Sequence, residues 1–302
     1  MNSASIAQPG EPIARLQQTL KSAATVSGRG YWSGKEVTVR FLPAPEDTGV
    51  VFVREDMEGS PQIPALVDYR VEVPRRTNLV HQGATVEMVE HVLAALAGLQ
   101  IDNCYVHVNS AEMPGLDGSA KDYVEQILAA GIEQQSNTCP VLTVSEVVRV
   151  GDDECWVEAR PSGSKRLKFK YRLDFGTEGM IGRETLEAKL NPEYFTAELA
   201  PARTFLLLQE AEWLRSQGLG THVDFSELLV FGPEGPIDNE LRFEDECVRH
   251  KVLDLVGDLA LAGCDIQGTV IANRSGHRLN AELVKQLLLK ENQVAYLSRR
   301  TA

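Results

Sequence analysis

Near the C-terminal end of the chain, three residues that can carry chemistry fall four apart. They are His250, Asp254 and Asp258, within VRHKVLDLVGDLALAG (248–263). That spacing stacks them on one face of a helix whose other residues are those of a buried helix. A histidine and a carboxylate at i and i+4 can reach one metal ion from successive turns, and a pair on the helix surface is the plain alternative. Asp258 lies a turn too far along to be an easy third ligand. It suits the support of another histidine, which it would orient and whose pKa it would raise.

A second histidine comes from an internal echo. EMVEH…LAGLQI and ECVRH…LAGCDI both carry E-x-V-x-H early in a helical stretch and L-A-G-x-x-I at its end. His91 and His250 therefore occupy matching points in two halves, which reads as two related α+β units whose helices could pack face to face. Two imidazoles and a carboxylate, His91, His250 and Asp254, suit tetrahedral Zn²⁺ with one position left open. Hydrolytic sites use such a position, and Glu90, directly before His91, is a natural general base there. Taken singly each motif is weak: His91 alone reads as a satisfied core histidine, and His277 in RSGHRLN as a solvated loop residue. His277 is also the candidate partner of Asp258.

These residues need elements to hold them. KEVTVRFLPA and GVVFVRED alternate as strands, and TVEMVEHVLAALAG (85–98) reads as a helix with Thr85 as its N-cap. NCYVHV is a strand and AKDYVEQILAAG a helix. A polar stretch ending at Pro140 reads as a linker over 135–140, dividing an N-terminal α+β domain (14–134) from a C-terminal one (141–295). The second half opens with three strand segments, VLTVSEVVRV, CWVEARP and LKFKYRLDF. The helix EAEWLRSQG, the strand ELLVF, the long helix, the strand TVIAN and a last helix from about Asn280 follow. Residues before about Ala14 read as a loose tail.

The totals exclude several classes. At 302 residues with 43% hydrophobic content the chain can bury real cores, and a net charge of −13 argues against general nucleic-acid binding. Five scattered cysteines without a CxxC suit neither a disulfide framework nor a thiolate zinc site. With no signal-peptide core and no membrane-spanning run, the expectation is a cytoplasmic protein without transmembrane segments. Nothing in the sequence calls for an obligate protein partner.

Together, RFEDECVRHKVLDLVGDL, EHVLAALAGLQIDN, EMPGLDGSA, PARTF, SGHRLN and GKEVTVRFLPAPEDTGVVFVRED resemble the UDP-3-O-acyl-N-acetylglucosamine deacetylases, zinc enzymes of lipid A synthesis. The resemblance runs from about Leu16 to Asn292. It implies two domains, each a β-sheet with helices, packed as a sandwich with the helices between the sheets. It implies Zn²⁺ on His91, His250 and Asp254, with Glu90 as base and His277 as the protonating group beside Asp258. Thr204 matches an oxyanion donor, and Phe205 and Lys251 match positions that contact a UDP-linked, acylated amino-sugar substrate. The segment EAEWLRSQGLGTHVDFSELLVF matches the family's acyl-binding insert.

Departures from the family pattern fall on the substrate side. GYWSG puts Trp32 where the family has histidine, Leu206-Leu207 follow ARTF in place of Gly-Phe, and His222-Val223-Asp224 replace a glycine-rich loop. Met88 precedes Val89-Glu90-His91 where the family has threonine at the head of Thr-Val-Glu-His. His222 falls in the divergent loop and is not expected to bind the metal. Two other readings follow: a relative acting on another N-acyl amino sugar, and a catalytically silent binding protein on the same fold.

Overall fold

The computed structural model describes residues 14–301, apart from 178 and 226; the expected N-terminal tail lies outside them. Alternating strands build two five-stranded sheets of one design. In the first, Ala24–Arg29, Glu36–Pro43, Cys104–Val108, Val50–Arg54 and Gln62–Pro64 lie side by side. In the second the order is Val148–Gly151, Trp156–Arg160, Thr269–Asn273, Lys168–Asp174 and Arg183–Lys189. Each central strand is antiparallel to one neighbour and parallel to the other, so the pairing directions match strand for strand. The echo read in the helices thus extends to the sheets.

Each central strand sits between two helices: α1 (Glu90–Gly98) and α2 (Lys121–Ala130) in the first unit, α5 (Glu246–Leu259) and α6 (His277–Thr301) in the second. Between the second pair of helices and the start of their unit lie the single turn α3 (Pro192–Tyr194) and α4 (Leu208–Ser216). Helices α1 and α5 pack on each other, α2 packs on its own sheet at Ala24–Arg29, and α6 on Val148–Gly151 and Trp156–Arg160. The result is an α+β sandwich with helices between the sheets. One continuous core runs through it, with Phe41, Phe52, Leu93, Val252, Leu253, Phe169 and Tyr171 all essentially buried.

Each unit also carries a three-stranded sheet before the helix that bears its matching histidine, α1 or α5. The first pairs Arg70–Val71, Asn78–His81 and Ala84–Glu87; the second pairs Phe205–Leu207, Leu229–Gly232 and Gly235–Pro236. The second, with α4, has a small core of its own, Ala211, Val223, Leu228 and Val230, against which Tyr31, Leu206 and Phe225 pack.

Several boundaries differ from the sequence reading. Thr85 is not a helix cap: it lies in the strand Ala84–Glu87, which pairs with Asn78–His81. Met88 then takes φ of 60° and breaks the strand, so that α1 starts at Glu90. Cross-strand bonding decides against helix here, because ATVE also alternates. The long helix ends at Leu259, followed by a 3-10 turn and Gly263 at φ 66°. Glycine adopts that left-handed conformation without a Cβ penalty. The last helix begins at His277 rather than near Asn280. The expected linker is mostly strand, since Ile132–Thr138 pairs with Leu16–Leu20. The edge strand Arg183–Lys189, rich in charge, was not anticipated. The five cysteines are free thiols, and no helix among the described residues is long and apolar enough to cross a membrane.

Candidate metal centre

Helices α1 and α5 meet at backbone distance. A Cβ at Gly257 would stand 2.1 Å from the Glu90 carbonyl oxygen, so only glycine permits this approach. It brings the first turn of α1, with Glu90 and His91, over the turn of α5 that carries His250 and Asp254. His91 Nε2 lies 3.6 Å and His250 Nε2 3.4 Å from Asp254 Oδ1, and the two imidazoles stand edge to face at 5.1 Å. One ligand atom from each of the three falls within 4.8 Å of the others.

Hydrogen bonds from outside the cluster orient His250 and Asp254. The Ala202 carbonyl lies 3.1 Å from His250 Nδ1. That contact makes Nδ1 the protonated nitrogen and leaves the Nε2 lone pair facing His91 and Asp254, as a metal ligand requires. Burial pushes the His250 pKa down to about 4 against the pull of Asp254, which keeps the ring neutral. Asp254 is buried, which alone would raise its pKa; Lys251, His250 and His277 outweigh this and hold it well below the usual range. Lys251 donates to Asp254 Oδ2 at 2.7 Å; burial alone would lower its pKa, and Asp254 holds it above the ordinary value. Two imidazoles, that of His250 held neutral, and an ionised Asp254 carboxylate form a donor set that fits Zn²⁺.

Glu90 is 4% exposed, and burial raises its pKa in spite of His277 and His91. Its Oε2 accepts the Thr77 N–H at 2.9 Å. A carboxylate raised in this way is a stronger proton acceptor than an ordinary one.

On the far side of Asp254, His277 is a buried residue at the head of α6, where the sequence alone favoured a solvated loop. Its Nδ1 lies 2.8 Å from Asp258 Oδ2, and its Nε2 points toward Asp254 Oδ2 at 4.0 Å. Burial would lower its pKa, but Asp258 and Asp254 carry it up to about 9. Asp258, with no exposed surface, also accepts from the Asn280 amide at 2.9 Å and the Thr77 hydroxyl at 2.6 Å.

Phe205 enters beside His250, and Thr204 precedes it in the chain. The Phe205 ring stands edge to face with His250 at 6.3 Å and continues to Phe175 at 5.8 Å. The Thr204 N–H donates to Gly118 O at 2.8 Å, which ties PARTF to the EMPGLDGSA loop. A buried ion pair sets this segment's position: Arg203 Nε donates to Glu246 Oε1 at 2.8 Å and Nη2 to Oε2 at 3.1 Å. Glu246 is the first residue of α5, so the segment carrying Thr204 is fastened to the helix carrying His250 and Asp254. Arg203 and Glu246 were not singled out in the sequence, although both sit inside its motifs. Thr77, a lone threonine in RRTNLV, offered no signal at all.

His222 Nε2 bonds the Gly30 carbonyl at 2.9 Å, and the Arg76 guanidinium lies 5.3 Å from the Trp32 ring centre. Leu206 packs into the small core beside α4.

Residues 17–289 match the family model described as UDP-3-O-acyl N-acetylglycosamine deacetylase. The chain is similar to proteins named UDP-3-O-acyl-N-acetylglucosamine deacetylase from several bacteria. It is 38% identical over 280 residues to that of Glaesserella parasuis, covering 91% of each chain. With that of Solibacter usitatus it shares 38% over 275 residues, 91% of this chain and 92% of the relative. With that of Thermosynechococcus vestitus it shares 39% over 279 residues, 92% and 96% respectively.

Proposed function

This chain belongs to the UDP-3-O-acyl N-acetylglycosamine deacetylase family, and from that membership we propose the following reaction. It hydrolyses the N-acetyl group of UDP-3-O-acyl-N-acetylglucosamine in lipid A biosynthesis, giving acetate and the free glucosamine amine. The observation that carries this reading is the convergence of His91, His250 and Asp254 within 4.8 Å, between a buried carboxylate and a buried histidine.

His91, His250 and Asp254 would hold Zn²⁺. Bound there, the metal supplies Lewis acidity, acidifying water and polarising the acetyl carbonyl. Glu90 takes the proton of the attacking water through the carboxylate oxygen that Thr77 does not occupy. The Thr204 hydroxyl donates to the oxygen on which negative charge develops, a contribution of roughly 3 kcal/mol for one such donor. His277, protonated and aligned by Asp258, gives its proton to the nitrogen as the C–N bond breaks. Phe205 forms an apolar wall beside the reacting carbon, and Lys251 offers positive charge to an anionic substrate that the net charge of −13 would otherwise repel.

The division into 14–134 and 141–295 follows the repeat, and the small sheet with α4 receives the acyl chain. The reaction belongs to the cytoplasm, where a nucleotide-linked sugar is at hand. A mass-spectrometric assay on zinc-loaded protein with UDP-3-O-acyl-N-acetylglucosamine tests the reading, with Glu90→Gln as control. Loss of one acetyl group, abolished in the control, is expected. An unchanged substrate with zinc fully bound would overturn it.

A further inference from the structure

Thr77 is held on three sides. Its N–H donates to Glu90 Oε2 at 2.9 Å, its C=O accepts the Val89 N–H at 3.1 Å, and its hydroxyl lies 2.6 Å from Asp258 Oδ1. It has no exposed surface. The backbone contacts bind it to the start of α1 in the first unit, whereas Asp258 belongs to α5 in the second. We infer that Thr77 is a positioning residue that registers the carboxylate base of one unit with the aspartate–histidine pair of the other.

In this contact the Thr77 hydroxyl is the donor and Asp258 Oδ1 the acceptor. With Oδ1 taken in this way, the carboxylate plane is set and Oδ2 faces His277 Nδ1 and the Asn280 amide. His277 Nε2 is thereby turned toward the metal cluster. The N–H of the same residue occupies Glu90 Oε2 and leaves Oε1 as the free acceptor. Base and acid thus share one fixed reference, and neither unit sets both alone. Without the hydroxyl, Oδ1 is a buried acceptor that has lost a donor, and the carboxylate relaxes at the expense of His277 alignment.

The inference rests on the proposed deacetylation for its kinetic test. In the zinc-loaded holoenzyme, Thr77→Val keeps the side-chain shape and removes the hydroxyl. We expect kcat to fall about 10- to 100-fold, the worth of a hydrogen bond to a charged group, with KM within threefold and zinc content unchanged. Thr77→Ser restores kcat to within threefold of the unaltered enzyme. Unaltered kcat in Thr77→Val, or a serine variant as impaired as the valine one, overturns the assignment. NMR of the unaltered holoenzyme tests the contact without turnover or substitution: a Thr77 hydroxyl proton in slow exchange with water supports it. Exchange at the bulk rate overturns it. Failure of the unaltered enzyme to release acetate counts against the reaction alone, because the hydroxyl signal is read in the same sample.

Discussion

Gly257 and Glu90 touch through their main chains: the Cβ that glycine lacks would lie 2.1 Å from the Glu90 carbonyl oxygen. The neighbours of that contact, His91 on one helix and Asp254 on the other, depend on it for their separation. Gly257→Ala therefore forces α1 and α5 apart. We expect a loss of roughly 2–4 kcal/mol in stability by denaturant unfolding, together with weaker zinc binding by competition with a chelator. Gly163→Ala, where an added Cβ meets nothing within 4 Å, serves as control. Equal behaviour of the two variants would contradict the close crossing.

Removing one ligand should remove metal and activity together. His250→Ala leaves His91 and Asp254 without the third donor and is expected to lower zinc content and turnover in parallel. Chelation of the unaltered protein should do the same and reduce its melting temperature, since a metal bound by the folded state stabilises it. A His250→Ala protein with full zinc and full rate would sink the assignment of this ligand.

His277 provides a pH signature. Its folded-state pKa is raised to about 9 from the ordinary 6.5. Its charged form therefore contributes stability that is fully present below about pH 6.5 and is lost as pH rises through about 9. In metal-free protein, NMR titration should place the His277 midpoint well above 6.5. Zinc should move it down, because a cation at Asp254 offsets the negative charge 4.0 Å from His277 Nε2. Asp258→Asn should move it down as well, since the nearer carboxylate charge is removed. A midpoint at 6.5 or below without metal would show that the aspartates do not hold the proton.

The Arg203–Glu246 pair is buried on both sides, with 7% and 0% of the side chains exposed. Arg203→Met leaves a buried carboxylate without its cation, and we expect a loss of roughly 3–5 kcal/mol. The Arg203→Met/Glu246→Gln double variant should recover a large part of that stability. Its rate should stay low, because the segment bearing Thr204 is no longer tied to α5. Measured by denaturant unfolding and by acetate release, full recovery of both would contradict the positioning role.

The fold was legible where periodicity was strong. Alternation marked Glu36–Pro43, Val50–Arg54 and Cys104–Val108, and the four-residue spacing marked α5. It failed at Thr85, where a strand and a helix abut and the residues satisfy either pattern until Asn78–His81 supplies the bonding partner. It failed also at 132–138, whose polar residues read as linker because the strand Leu16–Leu20 that they pair with is more than a hundred positions away. Edge strands such as Arg183–Lys189 carry charge on their exposed side and resemble loops in sequence.

The sequence by itself determined the candidate groups: Glu90, His91, His250, Asp254, Asp258 and His277 are chemically distinctive, and the repeated E-x-V-x-H set two of them at equivalent points. Local geometry allowed this, because residues four apart on a helix must share a face whatever surrounds them. Tertiary structure alone decided the distances between α1 and α5, the burial that lowers His250 and raises Glu90, and the charge that raises His277. It alone gave Thr77 its place, since a hydroxyl is polar anywhere. Its partners are chosen only when Glu90, 13 positions away, and Asp258, 181 positions away, are brought against it.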